Sequence, residues 1–261
     1  MSAISRKAAF FDLDGTLAVH NLPPAPEDAD AIRRFRAAGH LAFLCTGRAS
    51  GYIYPSVLDI GFDGVVASAG AHVTLDGKIL YRRTVSPEVL RRMITDCRQT
   101  GCICVFEGEQ GMYVINEEKY PQLAKSCAPV RTPEDFETVY AGHVINKFTL
   151  YSPLTAGMQA WMDGFFSLMI FAIQHPDYLE VVPKGCSKSD GIRRVIESAG
   201  IRREDVLAVG DSANDLDMLR YAGIGAAMGN ASDEVKAAAD WVTGTLAQHG
   251  AAQALLRFEN M

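Results

Sequence analysis

The sequence predicts an α/β fold, a Rossmann-like, doubly wound core of parallel strands with a second α+β domain inserted into it. Three observations carry this reading. Short apolar runs alternate with stretches of helical periodicity, as strands buried on both faces and their crossover helices require. Four of the runs, residues 8–11, 41–45, 65–67 and 206–209, lead into Asp, Gly, Ser or Thr instead of further apolar sequence, as strands do when their C-terminal ends form a site. Between about Tyr81 and Pro183 the rhythm shifts to strand-like runs with fewer helices.

Taken in order, the strand at 8–11 is followed by a helix with Pro26 near its start, Ala31, Ile32 and Phe35 on one face, and Gly39 just past its end; proline suits a first turn and glycine a terminus. After the strands at 41–45 and 65–67 comes a helix opened by Ser86 and Pro87. It carries Val89, Leu90, Met93, Ile94 and Cys97 and stops by Gly101. Strands follow at 103–106, 112–115 and 148–151. A helix-to-strand stretch from Leu154 runs through the apolar residues 165–173 to 178–182, before Lys184 and Gly185 return the chain to the first domain. The core is thus expected from 1–80 and 184–261, with the insert at 81–183. A further helix opens at Ser187, shows an apolar face of Ile192, Val195, Ile196 and Ala199, and ends at Gly200.

The 261 residues are 48% apolar and 21% charged, ordinary for a globular protein, and long enough for about two cored domains. A formal net charge of -6 provides no broad cationic field, which argues against a nucleic-acid partner. The arginine runs at 33, 34 and 36 and at 82, 83, 91 and 92 read as solvated faces. Six cysteines, at 45, 97, 102, 104, 127 and 186, include no CxxC pair and read as reduced core thiols. Residues 1–7 lack the apolar stretch of a signal peptide. The longest uncharged stretch, 164–176, falls short of the roughly 20 residues that cross a bilayer. The expectation is a cytoplasmic protein with no membrane partner.

Four segments carry chemistry. Asp12-Leu13-Asp14-Gly15-Thr16 sets two carboxylates two residues apart at a strand end, where an extended chain puts them on one side. Such a pair is costly to hold ionised without a cation, and a hard oxygen-seeking ion such as Mg2+ is the natural complement. A calcium loop is excluded, because the glycine comes two places early and Pro23 stands where the bidentate acid belongs. Thr46-Gly47-Arg48 puts a hydroxyl and a flexible backbone at a strand-to-helix turn able to hold an anion. Ser187 and Asp190 resemble a capping pair and leave Lys188 in a first turn, where the helix dipole disfavours a cation unless an anion lies beside it. Asp211 and Asp215 lie four apart after a strand, and a helix starting near Asn214 would turn both back toward the sheet edge. Singly, each segment also reads as plain structure: an Asx turn, a Thr-Gly turn, a solvated lysine, an Asp N-cap.

Together, in this order, the segments resemble the haloacid dehalogenase superfamily, in its Cof-type branch with a large α/β cap. Phe62-Asp63-Gly64-Val65, the stretch from Glu180 to Lys188, Ala227-Met228-Gly229-Asn230-Ala231 and Ala239-Asp240-Trp241-Val242-Thr243 extend the likeness over nearly the whole chain. One departure is Ala69-Gly70-Ala71, where members of this branch often carry Asn-Gly-Ala; a polar contact to substrate or phosphate is thereby missing. The resemblance implies a Mg2+-dependent phosphatase acting on a small phosphorylated metabolite, a sugar phosphate or related phosphomonoester. It implies an aspartyl-phosphate on Asp12 and Asp14 as general acid and base. The metal would be held by Asp12, the main-chain oxygen of Asp14 and Asp211, with Asp215 as ligand or support. Thr46, the Gly47 amide and Lys188 would hold phosphoryl oxygens, which Asn214 helps orient. Arg48 reads equally as a substrate contact or an interdomain ion pair. A sugar phosphomutase would use the same nucleophile. A non-catalytic phosphometabolite sensor would use similar groups, though the intact Asp12–Asp14 pair argues against mere sensing.

Overall fold

In strand β1 (Ala8–Phe11) every side chain is buried, because alternate residues serve opposite faces of the sheet. Ala9 and Phe11 pack with Ile32 and Phe35 of helix α1 (Pro26–Ala37), while Ala8 and Phe10 join the cluster on the other side. The computed structural model describes residues 6–19, 22–151, 164, 169–174 and 178–261, the side chains of 169–174 excepted. The chain continues through β2 (Leu41–Cys45), the short α2 (Pro55–Leu58), β3 (Gly64–Ala67), β4 (His72–Leu75) and β5 (Lys78–Arg82). Helix α3 (Pro87–Thr100) then leads into β6 (Ile103–Gly108), β7 (Met112–Ile115), β8 (Ala128–Pro129), β9 (Ile145–Tyr151), β10 (Met169–Gln174) and β11 (Leu179–Pro183). Helix α4 (Lys188–Ala199), β12 (Val206–Gly210), α5 (Leu216–Tyr221), β13 (Ile224–Ala227), α6 (Asp233–Ala238), β14 (Trp241–Val242) and α7 (Gly250–Glu259) complete it. The helix expected from Leu154 lies outside the described residues.

Two compact units result, one of Met1–Gly47, Ile53–Tyr81 and Ser187–Met261, the other of Arg48–Tyr52 and Arg82–Cys186. The first unit holds an eight-stranded sheet in the order β14-β13-β12-β1-β2-β3-β4-β5. The ladders from β14 to β3 are parallel and that of β3 with β4 is antiparallel. Its two faces are separately cored. Helices α1 and α7 cover one, with Ile32, Phe35, Leu255 and Phe258; α4 and α5 cover the other, with Ile192, Val195, Met218 and Leu219. Phe10 and Phe43 stack with ring centroids 4.7 Å apart. Full burial of each such side chain contributes about 1.5–3 kcal/mol, so both layers hold the sheet edge in place. Entry into β3 is fixed by Asp63, whose carboxylate accepts two bonds from the Arg36 guanidinium, at 2.9 and 2.7 Å, and the Ala42 N–H at 2.8 Å.

The second unit holds a six-stranded sheet, β10-β11-β9-β6-β7-β8, antiparallel except where β7 meets β8. Helix α3 is capped by Ser86, whose side chain accepts from the Val89 N–H, and ends at Gly101 with φ 69. It lays Val89, Met93, Ile94 and Cys97 against Cys104, Phe106, Phe148 and Leu150 of the sheet. Residues Arg48–Tyr52, expected in the core domain, go with this unit, since a Cβ on Gly51 would stand 2.5 Å from the Glu109 carbonyl oxygen. No helix among the described residues is long and apolar enough to cross a membrane.

Candidate active site

The parallel ladder carries one residue past β1, where the Asp12 N–H donates to the Val209 carbonyl at 2.9 Å. The chain then turns at Gly15, with φ +87, and no other residue would fit: a Cβ there would stand 2.2 Å from Asp211 Oδ2. The turn is closed by the N–H groups of Thr16, Leu17 and Ala18, all donating to the Leu13 carbonyl. Thr16, fully buried, donates its hydroxyl to Asp211 Oδ1 at 3.3 Å. Asn230 braces the turn from a third segment, giving its amide to the Gly15 carbonyl at 2.9 Å and accepting the Leu246 N–H at 2.9 Å.

At the end of β12, Gly210 leaves room for Asp215, whose side chain a Cβ would strike at 2.5 Å. Ser212, not Asp211, caps the following turn, and Asp215 completes a capping box with it. The turn is a single 3-10 turn, Ala213–Asp215, with the α-helix beginning only at Leu216, two residues later than the sequence suggests. Asp215 Oδ2 accepts the N–H groups of Asp211 and Ser212, each at 3.0 Å, which pins the carboxylate inward. Asn214 is tied into the same turn, its Oδ1 accepting the Ser212 hydroxyl at 2.7 Å.

Lys188 opens α4. Ser187 accepts the Asp190 N–H at 3.1 Å, and its hydroxyl donates to Asp190 Oδ2 at 3.1 Å, so the pair forms half a capping box. The lysine is 2% exposed and donates to Asp12 Oδ1 at 2.6 Å and to Asp215 Oδ1 at 2.5 Å. These two anions answer the unfavourable dipole at a helix start. Asp217 anchors α4 further by accepting the Ser189 N–H at 2.9 Å.

Asp12, Asp211 and Asp215 each offer an oxygen within 4.8 Å of the others. Burial, then the Asp215 charge, pushes the Asp12 carboxyl up to about 8, although Lys188 pulls it back. Burial and Asp215 likewise push Asp211 up to about 6, with Asp14 adding repulsion. Burial pulls the Lys188 ammonium down, yet Asp12 and Asp215 hold it well above the ordinary lysine value. Once all three carboxyl groups are ionised, three carboxylates against one ammonium leave two negative charges unbalanced, the charge of one divalent cation. An all-oxygen donor set of this kind fits a hard metal ion.

Of the other expected residues, Thr46 is buried at the end of β2, donating its N–H to the Val66 carbonyl at 2.8 Å and accepting the Ala69 N–H at 3.1 Å. Gly47 follows it at the same end of the first unit. Arg48 falls in the second unit, its guanidinium over the Tyr52 ring at 5.2 Å. Sequence reasoning passes over Thr16 and Asn230 as site residues; the Ala69-Gly70-Ala71 stretch it does mark begins inside a tight turn after β3, Ser68–Gly70, whose three residues have φ of 51, 49 and 89. A Cβ on Gly70 would stand 2.0 Å from the Ser187 carbonyl oxygen, so this turn abuts the cap of the lysine helix. The available signals are the hydroxyl two residues after Asp14 and the small residues 69–71.

Acids and a buried lysine gathered at the C-terminal edge of a doubly wound parallel sheet define an α/β enzyme with its chemistry at the strand ends. The sequence profile of the haloacid dehalogenase-like hydrolases matches residues 9–255, and the chain belongs to that family. It is similar to the "Putative phosphatase YkrA" of Bacillus subtilis, 28% identical over 95% of this chain and 96% of the relative. It is also similar to the "HMP-PP phosphatase" of Klebsiella pneumoniae, 26% identical over 88% and 87%. Among solved structures, a sugar phosphatase of haloacid dehalogenase subclass IIB, BT4131, superposes with a TM-score of 0.80 at 26% identity, covering 98% of this chain and all of that one. The chain is a phosphatase of this family.

Proposed function

We propose that this phosphatase hydrolyses a small phosphorylated metabolite, a sugar phosphate or related phosphomonoester, with Mg2+ and through an aspartyl-phosphate on Asp12. The observation that carries the reading is the Asp12 carboxylate, buried at the strand end beside Lys188 and within reach of Asp211 and Asp215. The phosphatase relatives and the sugar phosphatase neighbour support the substrate class.

Asp12 attacks phosphorus in line, and the bond from phosphorus to the alcohol oxygen breaks. Asp14 gives the departing oxygen its proton. Asp14, now a base, takes a proton from water as that water attacks the acyl phosphate, releasing inorganic phosphate and restoring both carboxyl groups. Thr46, the Gly47 amide and Lys188 hold the phosphoryl oxygens, and Asn214 helps to orient them. The Asp12 and Asp211 carboxylates and the Asp14 main-chain oxygen would hold the metal, while Asp215 fixes the backbone of Asp211 and steadies Lys188. When bound, the ion supplies Lewis-acid stabilisation of charge on the phosphoryl oxygens. Asp14 serves as acid and base because its side chain is left out of this set.

The test is phosphate release from a panel of phosphorylated metabolites, with Mg2+ and with chelator. Turnover of at least one phosphomonoester, lost on chelation and absent in Asp12→Asn, is expected. Undiminished turnover by Asp12→Asn would refute the assignment.

A further inference from the structure

The second unit contains a group of thiols that phosphate chemistry does not use. Cys97 lies in the last turn of α3, and the chain reverses at the left-handed Gly101. Cys102 then leads into β6 and Cys104 lies within it, two residues further on along the extended chain. Strand β6 packs on α3: Cys97 and Cys104 share one apolar cluster, with Cys102 packed against it. The Cys102 thiol donates to the Ile103 carbonyl at 3.6 Å. Asn116, 4% exposed, fastens the reversal, since its amide nitrogen donates to the Cys97 carbonyl at 2.9 Å and the Cys102 carbonyl at 2.6 Å. Arg98 holds that amide from the other side, donating to Asn116 Oδ1 at 3.1 Å. Access separates the three sulfurs. Cys97 and Cys104 are sealed, 2% and 0% exposed, whereas Cys102 is only half-buried.

From this geometry we infer that Cys102 and Cys97 form a peroxide-responsive pair, in which the accessible Cys102 is oxidised first and Cys97 resolves it to a disulfide. In the first step the Cys102 sulfur attacks hydrogen peroxide. The O–O bond breaks, one oxygen stays on sulfur as sulfenic acid, and the other leaves as water. In the second, the Cys97 sulfur attacks the Cys102 sulfur. The S–O bond breaks, the S–S bond forms, and the hydroxyl departs as water with the Cys97 proton. Both cysteines are free; Cys102 pulls the Cys97 thiol down, but Cys104 and burial hold it well above the usual thiol value, so its proton stays on until the sulfenic acid forms. Asn116 keeps the two backbone segments together throughout.

The reversal contains a tryptic site after Arg98, which makes the bond directly readable. The full-length protein is treated with hydrogen peroxide, alkylated, digested without reductant and weighed by mass spectrometry. Residues 93–98 and 99–119 should appear joined, two hydrogens lighter than their sum, and dithiothreitol should separate them. Cys102→Ser should reduce the joined species to the untreated level, and Cys104→Ser should leave it. The inference is overturned if the link persists in Cys102→Ser or vanishes only in Cys104→Ser. It is equally overturned if both peptides stay separate and alkylated at a dose that oxidises the exposed Met261, 71% exposed and so a dosimeter in the same digest.

Discussion

At the scale of single residues, the sheet edge is governed by charge held out of water. Lys188 stands between Asp12 and Asp215 with almost no solvent contact. Removing one partner of a buried pair strands the rest, at about 3–5 kcal/mol. Lys188→Met should therefore lower the unfolding free energy measured by denaturant titration by that much in chelator, and by clearly less when Mg2+ is added. The raised carboxyl values have a definite sign. Asp12 and Asp211 go from 3.8 in the unfolded chain to about 8 and about 6 in the folded one, so as pH rises the unfolded chain releases these protons first. Stability in chelator should fall from about pH 4 to pH 6 through both groups and on to pH 8 through Asp12 alone. Lys188, raised above 10.5, contributes throughout this window. A bound divalent cation reverses the cost of ionisation. Melting curves at several pH values, with Mg2+ and with chelator, should therefore diverge as pH increases; curves that stay parallel would rule out a cation at these carboxylates.

Among the elements, turns decide more than strands do. Ala69 sits at φ 49 and ψ 44, a left-handed conformation that costs a residue with a Cβ roughly 1–2 kcal/mol and that Asn tolerates better. Ala69→Asn should raise stability by about 1 kcal/mol, or a Tm gain of roughly 2–4 °C by differential scanning. The hairpin of β4 and β5 has its sequence signal only in the turn, where Asp76-Gly77, with φ of 48 and 72, is the pair that such a turn demands. The second strand gives no signal of its own, because β5 is exposed on both sides and has no alternating pattern. By contrast, α3 matches its reading from Ser86 to Gly101, since proline, cap and glycine act locally. The thin signal for Asp215 has a similar cause, because a capping box of Ser212 and Asp215 requires knowing where the turn begins.

For the whole molecule, two separately cored units predict two unfolding events. Calorimetry should give a calorimetric enthalpy above the van't Hoff value. Mg2+ should raise only one transition, because Asp12, Asp211, Asp215 and Lys188 all belong to the first unit. Phe106→Leu, inside the second unit's core, should lower the other. The sequence by itself determined the class of fold, the strand ends where the chemistry gathers, and the acids and lysine there, because strand burial and helix caps depend on neighbours along the chain. Only the tertiary structure decided that Lys188 joins Asp12 to Asp215, that Asp215 is turned inward to carry the Asp211 backbone, and that Arg48–Tyr52 goes with the second unit. Those outcomes rest on contacts between residues far apart in sequence, whose charges and volumes meet only once both faces of the sheet are packed.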